Sequence, residues 1–143
     1  MPEVIAAVKQ GFIALSAGEA IVPIRGVLQS EAGITLTMPA QVGASRTVKV
    51  VSIYPGNTAR NIPTIHAAVL VLDAETGEPT ALMDGSVLTA MRTGAASGVA
   101  TDLLARDDAK ILAVIGSGVQ ARTQIEAICA VRPIETIHVY SPN

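Results

Sequence analysis

Residues 111–121 read ILAVIGSGVQA, so a continuous apolar run is followed at once by a turn that contains two glycines. The run Ile111–Ile115 shows no alternation of polar and apolar residues, which is typical of a strand covered on both faces. Residues 120–131 then predict a helix, and Thr136–Tyr140 predict a second apolar strand. A strand, a glycine turn, a helix and a strand in this order form the opening of a dinucleotide-binding unit.

The turn matches the pattern G-x-G-x-x-A. Gly116 stands where the strand must turn tightly, Gly118 where the backbone must admit a pyrophosphate, and Ala121 where helix and sheet must pack closely. The free backbone N–H groups at the helix start would then hold the phosphates. Because glycine and alanine are abundant in this chain, a plain tight turn between strand and helix is the alternative for this segment alone.

The expected partner of the ribose is a carboxylate about 20 residues after the turn, at the end of the second strand. The strand here ends in Tyr140-Ser141-Pro142-Asn143, which contains no Asp or Glu. Ser141 can donate to a ribose hydroxyl or to a 2′-phosphate, so NAD and NADP are both open as cofactors. The missing carboxylate slightly favours NADP, although no arginine adjoins Ser141.

The residues before the turn predict an α+β region. An amphipathic helix opens the chain, and Gly18 is placed to end it. Short β-branched segments bounded by Gly, Pro or Asn then predict the strands of a sheet: Ala20–Leu28, Gly33–Met38, Thr47–Tyr54 and His66–Asp73, with Thr80–Met83 returning as a hairpin. A helix is predicted over Ser86–Leu104, and its small residues leave one face thin enough for another element to approach closely.

Three cations lie within or beside apolar stretches of this region. Arg25 follows an Ile-Val-Pro-Ile segment, Lys49 stands between two valines, and Arg92 falls inside the small-residue helix. Cations are seldom buried without a partner, so each of them could extend into solvent or pair with a carboxylate. Three converging cations instead indicate an anionic ligand, such as a substrate carboxylate held by arginine and lysine.

The composition excludes several classes of function. A net charge of −2 offers no basic surface for nucleic acid or an anionic membrane. The longest stretch without a charged residue, Ala32–Ser45, is shorter than the roughly 20 residues of a membrane-spanning helix. The start of the chain lacks a basic leader, and Cys129 is the only cysteine, so we expect a cytoplasmic protein without disulfides. His66 and His138, far apart in the sequence, predict no metal site.

Three segments resemble the ornithine cyclodeaminase and mu-crystallin family: residues 47–64 (TVKVVSIYPGNTARNIPT), 83–98 (MDGSVLTAMRTGAASG) and 115–123 (IGSGVQART). The resemblance covers the family's N-terminal region and the start of its nucleotide domain. It implies an α/β protein with two parts. An N-terminal α+β sheet domain for substrate binding and dimerisation would span residues 1–105, and residues 106–143 would form the first strand–helix–strand unit of a Rossmann-like domain.

The resemblance also implies an activity and the residues that serve it. Family members are NAD(P)-dependent enzymes of small amino or imino acids, usually homodimers. The family holds the substrate carboxylate with residues that match Arg25, Lys49, Thr64 and Arg92, and its cofactor with residues that match Thr93, Gly116, Gly118, Val119, Gln120 and Ala121. Lys49 is also the candidate catalytic residue, since an amine there could relay a proton or activate water.

Several functions stay open on the sequence alone. Hydride transfer could serve ornithine cyclodeamination, an alanine-type dehydrogenase or a ketimine reductase, because the groups that distinguish these reactions are expected beyond Asn143. A protein that binds the dinucleotide and a small acid without turnover is an alternative of a different class. An inactive truncated fragment is another.

Overall fold

The computed structural model describes residues 1–142. The helices are Pro2–Ser16 (α1), Gly85–Leu104 (α2) and Val119–Val131 (α3), with a 3₁₀ helix at Pro55–Arg60. The strands are Ala20–Ile21 (β1), Gly26–Gln29 (β2), Ile34–Val42 (β3), Ser45–Ile53 (β4), Ile65–Asp73 (β5), Pro79–Asp84 (β6), Ile111–Ile115 (β7) and Thr136–Tyr140 (β8). The protein is of mixed α/β class, which confirms the sequence prediction.

These elements form two compact units. The sheet unit is Ile13–Leu88, and the terminal unit combines Met1–Phe12 with the described residues from Thr89 onward. The division falls within α2. A functional domain boundary after residue 105 stays a prediction.

The sheet unit is built on six antiparallel strands in the order β1-β3-β4-β5-β6, with β2 also paired to β3. Strand β6 returns along β5 as the predicted hairpin. The Asp73 carboxylate closes the hairpin turn by accepting the backbone N–H groups of Glu75 and Thr76 at 3.0 and 2.7 Å. These hydrogen bonds, that of Thr76 above all, hold the pKa of Asp73 below its usual value.

The single strand predicted over Ala20–Leu28 is wrong, because residues 22–25 separate β1 from β2. Pro23 lies in this break and cannot donate a ladder hydrogen bond. Strand β3, by contrast, continues beyond its predicted end at Met38, through Pro39. Strand β1 pairs with the last residues of β3, and β2 pairs with the first residues of β3. Pro39 therefore lies opposite the gap between β1 and β2, where no strand needs a hydrogen bond from its missing N–H group.

Small residues let α2 and α3 approach closely in the terminal unit. A Cβ on Gly94 would collide with the carbonyl group of Thr123, and one on Gly98 would lie 3.2 Å from the Cβ of Ala127. The buried core around this contact consists of Ile5, Ala95, Val99 and Ala127. The prediction that the thin face of α2 admits another element is confirmed, and that element is α3.

Strands β7 and β8 pair in parallel, with Ile111 opposite Thr136 and Ile115 opposite Tyr140, as the sequence predicts. Their burial differs from the prediction. Alternate residues of β7 are exposed, Ile115 to 89 %, and β8 is exposed throughout. Within residues 1–142, therefore, only one face of β7 is packed, and these residues do not supply the second cover that its apolar run predicts.

Gly18 ends α1 as predicted. Its φ of +76° lies in the left-handed region, which a side chain would disfavour. The N–H groups of Gly18 and Glu19 donate to the carbonyls of Leu15 and Ala14 at 3.2 and 2.9 Å, which satisfies acceptors that the helix end would otherwise leave free.

No helix in the described part of the chain is both long and apolar enough to cross a membrane. Across the same residues, no group of three or more His, Cys, Asp or Glu side chains could hold a metal ion. Cys129 is exposed on α3.

Candidate functional site

The glycine turn between β7 and α3 is fixed by its backbone. Gly116 has a φ of +100°, a conformation that favours glycine, and its N–H donates to the Tyr140 carbonyl at 2.7 Å, which ties the turn to the end of β8. Gly118 precedes α3 in an extended conformation, with φ −69° and ψ −178°, that any residue can adopt. A Cβ on Gly118 would meet no atom within 4 Å. Neither backbone strain nor packing within the described chain therefore explains the glycine at 118.

The start of α3 presents free donors beside this open position. The N–H groups of Gly118, Val119 and Gln120 have no acceptor in residues 1–142, whereas Ala121 donates to the Gly118 carbonyl at 2.9 Å. The first turn of α3 carries no acidic side chain. Unpaired N–H groups and the positive end of the helix dipole favour an anion here, so the chemistry of the turn fits a phosphate group.

A solvent-open hollow of about 190 Å³ adjoins the turn. It is lined by the end of β7 together with Gly116, Gly118, Gln120, Ala121 and Gln124. Gln124 was not among the predicted residues, although it lies one helical turn after Gln120 on the same face of α3, and that spacing is the signal that could have found it.

Thr93 lies beside α3 in the terminal unit. The Gln124 side-chain amide donates to the Thr93 carbonyl at 3.5 Å, and the Thr93 hydroxyl donates to the Thr89 carbonyl at 2.6 Å. Gln124 thus connects Thr93 to the hollow at the glycine turn. Arg92, the preceding residue of α2, is exposed, and its side chain forms no hydrogen bond or ion pair with any residue among 1–142.

Ser141 directly follows β8 and is half-buried. Because Tyr140 pairs with Ile115 and accepts the N–H of Gly116, Ser141 lies at the same edge of the strand pair as the glycine turn. The structure therefore brings three predicted features together in the terminal unit: the glycine turn, Thr93 and Ser141.

Lys49 lies in the middle of β4 and is half-buried. It stands opposite Met38 on one side and Val69 on the other, and directly opposed residues share one face of a sheet. Val51, two residues along β4, belongs to the same face, and both Val51 and Val69 are buried. The Lys49 stem therefore lies on an apolar face of the sheet.

Arg25 directly precedes β2, beside the sheet and at the level of Lys49. It immediately precedes Gly26, which pairs with Thr37, and the next residue of β3 is Met38, the cross-strand partner of Lys49. Strand β3 thus separates the two cations by two strand spacings, about 10 Å between backbones. The Arg25 side chain is exposed and contacts no carboxylate in the described chain.

Thr64 lies further along the sheet. It precedes β5, and its carbonyl accepts the N–H of Tyr54 at 2.8 Å. Tyr54 follows Lys49 by five residues, about 17 Å along a strand, so the register does not bring Thr64 to the level of Lys49. A shared role of these residues with Arg92 on one substrate carboxylate stays a prediction.

The side chain of Asp84 caps the start of α2. The Asp84 carboxylate accepts the N–H of Ser86 at 2.6 Å. This hydrogen bond is the main reason why the pKa of Asp84 lies below its usual value, and the charge of His66 acts in the same direction. The cap fixes where the helix that carries Arg92 begins.

A parallel strand pair whose connection is a glycine turn and a helix with free N–H groups belongs to the nucleotide-binding α/β class. The model of the ornithine cyclodeaminase/mu-crystallin family matches residues 1–143. The chain belongs to this family, as the sequence segments predict.

Three known proteins are similar to this chain. The Δ1-pyrroline-2-carboxylate reductase of Bacillus thuringiensis is 44 % identical over 145 residues, which cover 99 % of this chain and 45 % of that protein. The structure of Thermococcus litoralis Δ1-pyrroline-2-carboxylate reductase in complex with NADH and L-proline matches with a TM-score of 0.93 and 50 % identity, over 99 % of this chain and 45 % of that one. An archaeal alanine dehydrogenase dimer with bound NAD matches with a TM-score of 0.95 and 36 % identity, over 98 % and 44 %. The chain thus spans a little under half the length of these relatives.

Proposed function

We propose that the protein carrying these residues is an NAD(P)-dependent oxidoreductase of small amino or imino acids, with a cyclic imino acid such as Δ1-pyrroline-2-carboxylate as its substrate. The observation that carries the proposal is Gly118. Neither the backbone conformation nor the packing at position 118 requires a glycine. The absence of a side chain there leaves room for a ligand beside the free N–H groups of α3. The substrate class rests on the names of the similar reductases and on the upstream cations.

The terminal unit is proposed to hold the cofactor. The N–H groups after Gly118 would bind the pyrophosphate, Ser141 the ribose, and Thr93 another part of the dinucleotide, with Gly116, Val119, Gln120 and Ala121 shaping the turn. A bound nicotinamide supplies or accepts a hydride. The residues of this chain would hold the dinucleotide in place, and the N–H groups at the start of α3 would donate hydrogen bonds to its phosphates.

The cations are proposed to hold the substrate. Arg25 and Arg92 can each bind a carboxylate through two parallel N–H bonds, and Lys49 adds a point charge on an apolar face of the sheet. Thr64 would help to hold the substrate carboxylate, as the family resemblance implies. Reduction of an imine also requires one proton at the nitrogen, and the Lys49 ammonium is the proposed donor.

The remaining proposals concern organisation. Residues 1–105 would serve substrate binding and dimerisation, and residues 106–143 would begin the nucleotide domain. A homodimer is supported by the archaeal alanine dehydrogenase dimer, which is 36 % identical. A cytoplasmic location is proposed because one cysteine in 143 residues fits a reducing compartment.

Titration of the purified natural polypeptide with NADH and NADPH, followed by nicotinamide fluorescence, tests the cofactor part. We expect saturable binding, which Gly118→Ala should weaken at least about tenfold because the added methyl group takes the place of a phosphate oxygen. Gly56→Ala is the matched control, since a Cβ there also meets no atom within 4 Å. Absence of binding, or equal binding by the two variants, would refute the proposed cofactor site.

Turnover separates an enzyme from a binding protein. Oxidation of NADPH or NADH with Δ1-pyrroline-2-carboxylate, monitored at the nicotinamide absorbance, should yield L-proline. Cofactor and L-proline binding without turnover of any imino acid would contradict the enzymatic proposal and establish the binding protein instead.

A further inference from the structure

We propose that Gly85 is a positioning residue for Lys49, because its missing side chain lets the start of α2 lie directly on strand β5 beside that lysine. Gly85 has no side chain to offer a substrate. It acts through Lys49, the proposed proton donor and carboxylate ligand. The inference rests on the proposed function, since it concerns what holds the same substrate site in shape.

The chain passes from strand to helix at Gly85 without a connecting residue. Strand β6 ends at Asp84, and α2 begins at Gly85. Asp84 lies opposite Ala68 of β5, and its carboxylate accepts the N–H of Ser86 at 2.6 Å. The strand pairing and the cap together fix the first turn of α2 beside β5.

No side chain fits between this turn and β5. A Cβ on Gly85 would lie 2.8 Å from the Cβ of Ala67 and 2.9 Å from its carbonyl carbon. Ordinary van der Waals contacts of a Cβ begin at 3.4 Å, so a methyl group would move the start of α2 away from β5 by about 0.5 Å. Gly85 has no positive φ, so packing, and not its backbone conformation, requires the glycine.

The contact lies on the face of the sheet that carries Lys49. Ala67 pairs with Val51, and Val69 pairs with Lys49. Opposed residues share a face, and so do alternate residues of one strand, so these four side chains lie on the same face. Val51 and Val69 are only 7 % and 5 % exposed. Gly85 therefore meets the sheet at a residue that adjoins both buried valines and lies diagonally across from Lys49, about 7–8 Å away.

A shift of α2 at Ala67 would reach Lys49 through these valines. Protein interiors are close-packed, so moving the start of α2 loosens the packing of Ala67 and of its neighbours Val51 and Val69. The Lys49 stem lies on the same face and loses a fixed support. A misplacement of about 1 Å can cost a reaction about 100-fold in rate, so a shift of half that size is large enough to be measured.

Steady-state reduction of Δ1-pyrroline-2-carboxylate by the purified natural polypeptide tests this inference. Gly85→Ala should lower kcat/KM at least about tenfold, while the Kd of the dinucleotide changes less than about twofold. Gly98→Ala is the matched control in the same helix, because a Cβ there would lie 2.9 Å from the Ile5 side chain. It should lower Tm but leave kcat/KM within about twofold of the unaltered protein.

A second comparison shows whether Gly85 acts through Lys49. Calorimetry measures how tightly the cofactor complex binds L-proline, with and without Gly85→Ala, in the unaltered protein and in Lys49→Met. Gly85→Ala should weaken binding at least about fivefold when Lys49 is present and less than about twofold when it is replaced. A merely structural role of Gly85 would weaken binding equally in both.

The outcomes separate this inference from the proposed function. A folded Gly85→Ala variant whose kcat/KM is unchanged, or falls no further than that of Gly98→Ala, would overturn the inference. Equal losses of L-proline affinity with and without Lys49 would also overturn it. If Gly85→Ala does not fold, Ala67→Val decides, since its branched side chain fills the same contact from β5 and should lower kcat/KM as well. Failure of the unaltered protein to bind a dinucleotide or to reduce an imino acid would instead refute the proposed function.

Discussion

Arg132 connects the end of α3 to the end of α2, and replacing it tests how the terminal unit is held together. Its side chain is only 6 % exposed although it carries a full charge. It donates to four backbone carbonyls: that of Arg106 from Nε at 3.0 Å, that of Val131 from Nη1 at 2.7 Å, and those of Asp102 and Ala105 from Nη2 at 2.9 Å each. Three of these carbonyls lie at or just past the end of α2, where a helix leaves its acceptors free and favours a cation.

We predict that Arg132→Met lowers the free energy of unfolding by about 3–5 kcal/mol. Removing one member of a buried charged network costs about this much, and the carbonyls at the end of α2 would lose their donor. The carboxylates of Asp102 and Asp107, at 3.6 and 3.4 Å from the guanidinium, are themselves exposed and add little. For a chain of this size the loss corresponds to a fall in Tm of roughly 10–15 °C.

Thermal unfolding followed by circular dichroism measures this effect. Arg106→Met is the matched control, because Arg106 is 82 % exposed and pairs at 3.6 Å with an equally exposed Asp108, so its loss should cost less than about 0.5 kcal/mol. Arg132→Lys keeps the charge but loses the planar fork, and should fall between the two. If Arg132→Met and Arg106→Met melt within about 2 °C of each other, the buried guanidinium does not hold the end of α2.

Two further predictions concern α2. Gly94→Ala should destabilise the protein by about 1–3 kcal/mol because its Cβ would force α3 away, whereas Gly11→Ala, where a Cβ meets nothing within 4 Å, should stabilise α1 by up to about 1 kcal/mol. Denaturant unfolding compares the pair, and equal effects would contradict the close approach of the helices. Arg92→Ala should weaken L-proline binding to the cofactor complex by at least about 2 kcal/mol with little change in Tm, since its exposed guanidinium has no partner among the described residues. Calorimetry measures the affinity, and an unchanged value would remove Arg92 from the substrate site.

Local signals predicted most elements of the fold. The apolar run of β7, the glycine turn and the helix that follows are all specified by neighbouring residues, and each is found where the sequence places it. The break between β1 and β2 depends instead on which parts of β3 find partners, and this pairing joins residues distant in the sequence. Pro39 illustrates the difficulty. Proline predicts the end of a strand, but Pro39 lies opposite a gap between two strands, so its missing N–H group breaks no hydrogen bond there.

The charged residues show a second limit of sequence reasoning. In the sequence, Arg132 stands between Val131 and Pro133 and has no feature that distinguishes it from a surface charge. The carbonyls that accept its hydrogen bonds belong to residues some thirty positions earlier, so the local sequence does not reveal them. Lys49 and Arg25 were predicted to act together, and only the register of β2 on β3 shows that they lie at one level of the sheet. A local sequence pattern can suggest which charged residues act together. Contacts between segments that are distant in the sequence determine which of them lie close to each other.

The glycines separate structural from functional constraint. In the sequence, Gly118 belongs to the glycine turn and Gly94 to the small-residue helix, and either glycine could serve packing or a ligand. In the structure, a Cβ at Gly94 would collide with Thr123, so packing alone requires that glycine. Gly118 has an ordinary φ and open space, so folding of the described residues would tolerate a side chain there. A glycine that packing does not require, beside unpaired N–H groups, is best explained by a ligand that approaches the backbone. Because Gly118 is the N-cap of α3, Gly118→Ala should cost about 1 kcal/mol of stability, and it should lower dinucleotide affinity at least about tenfold.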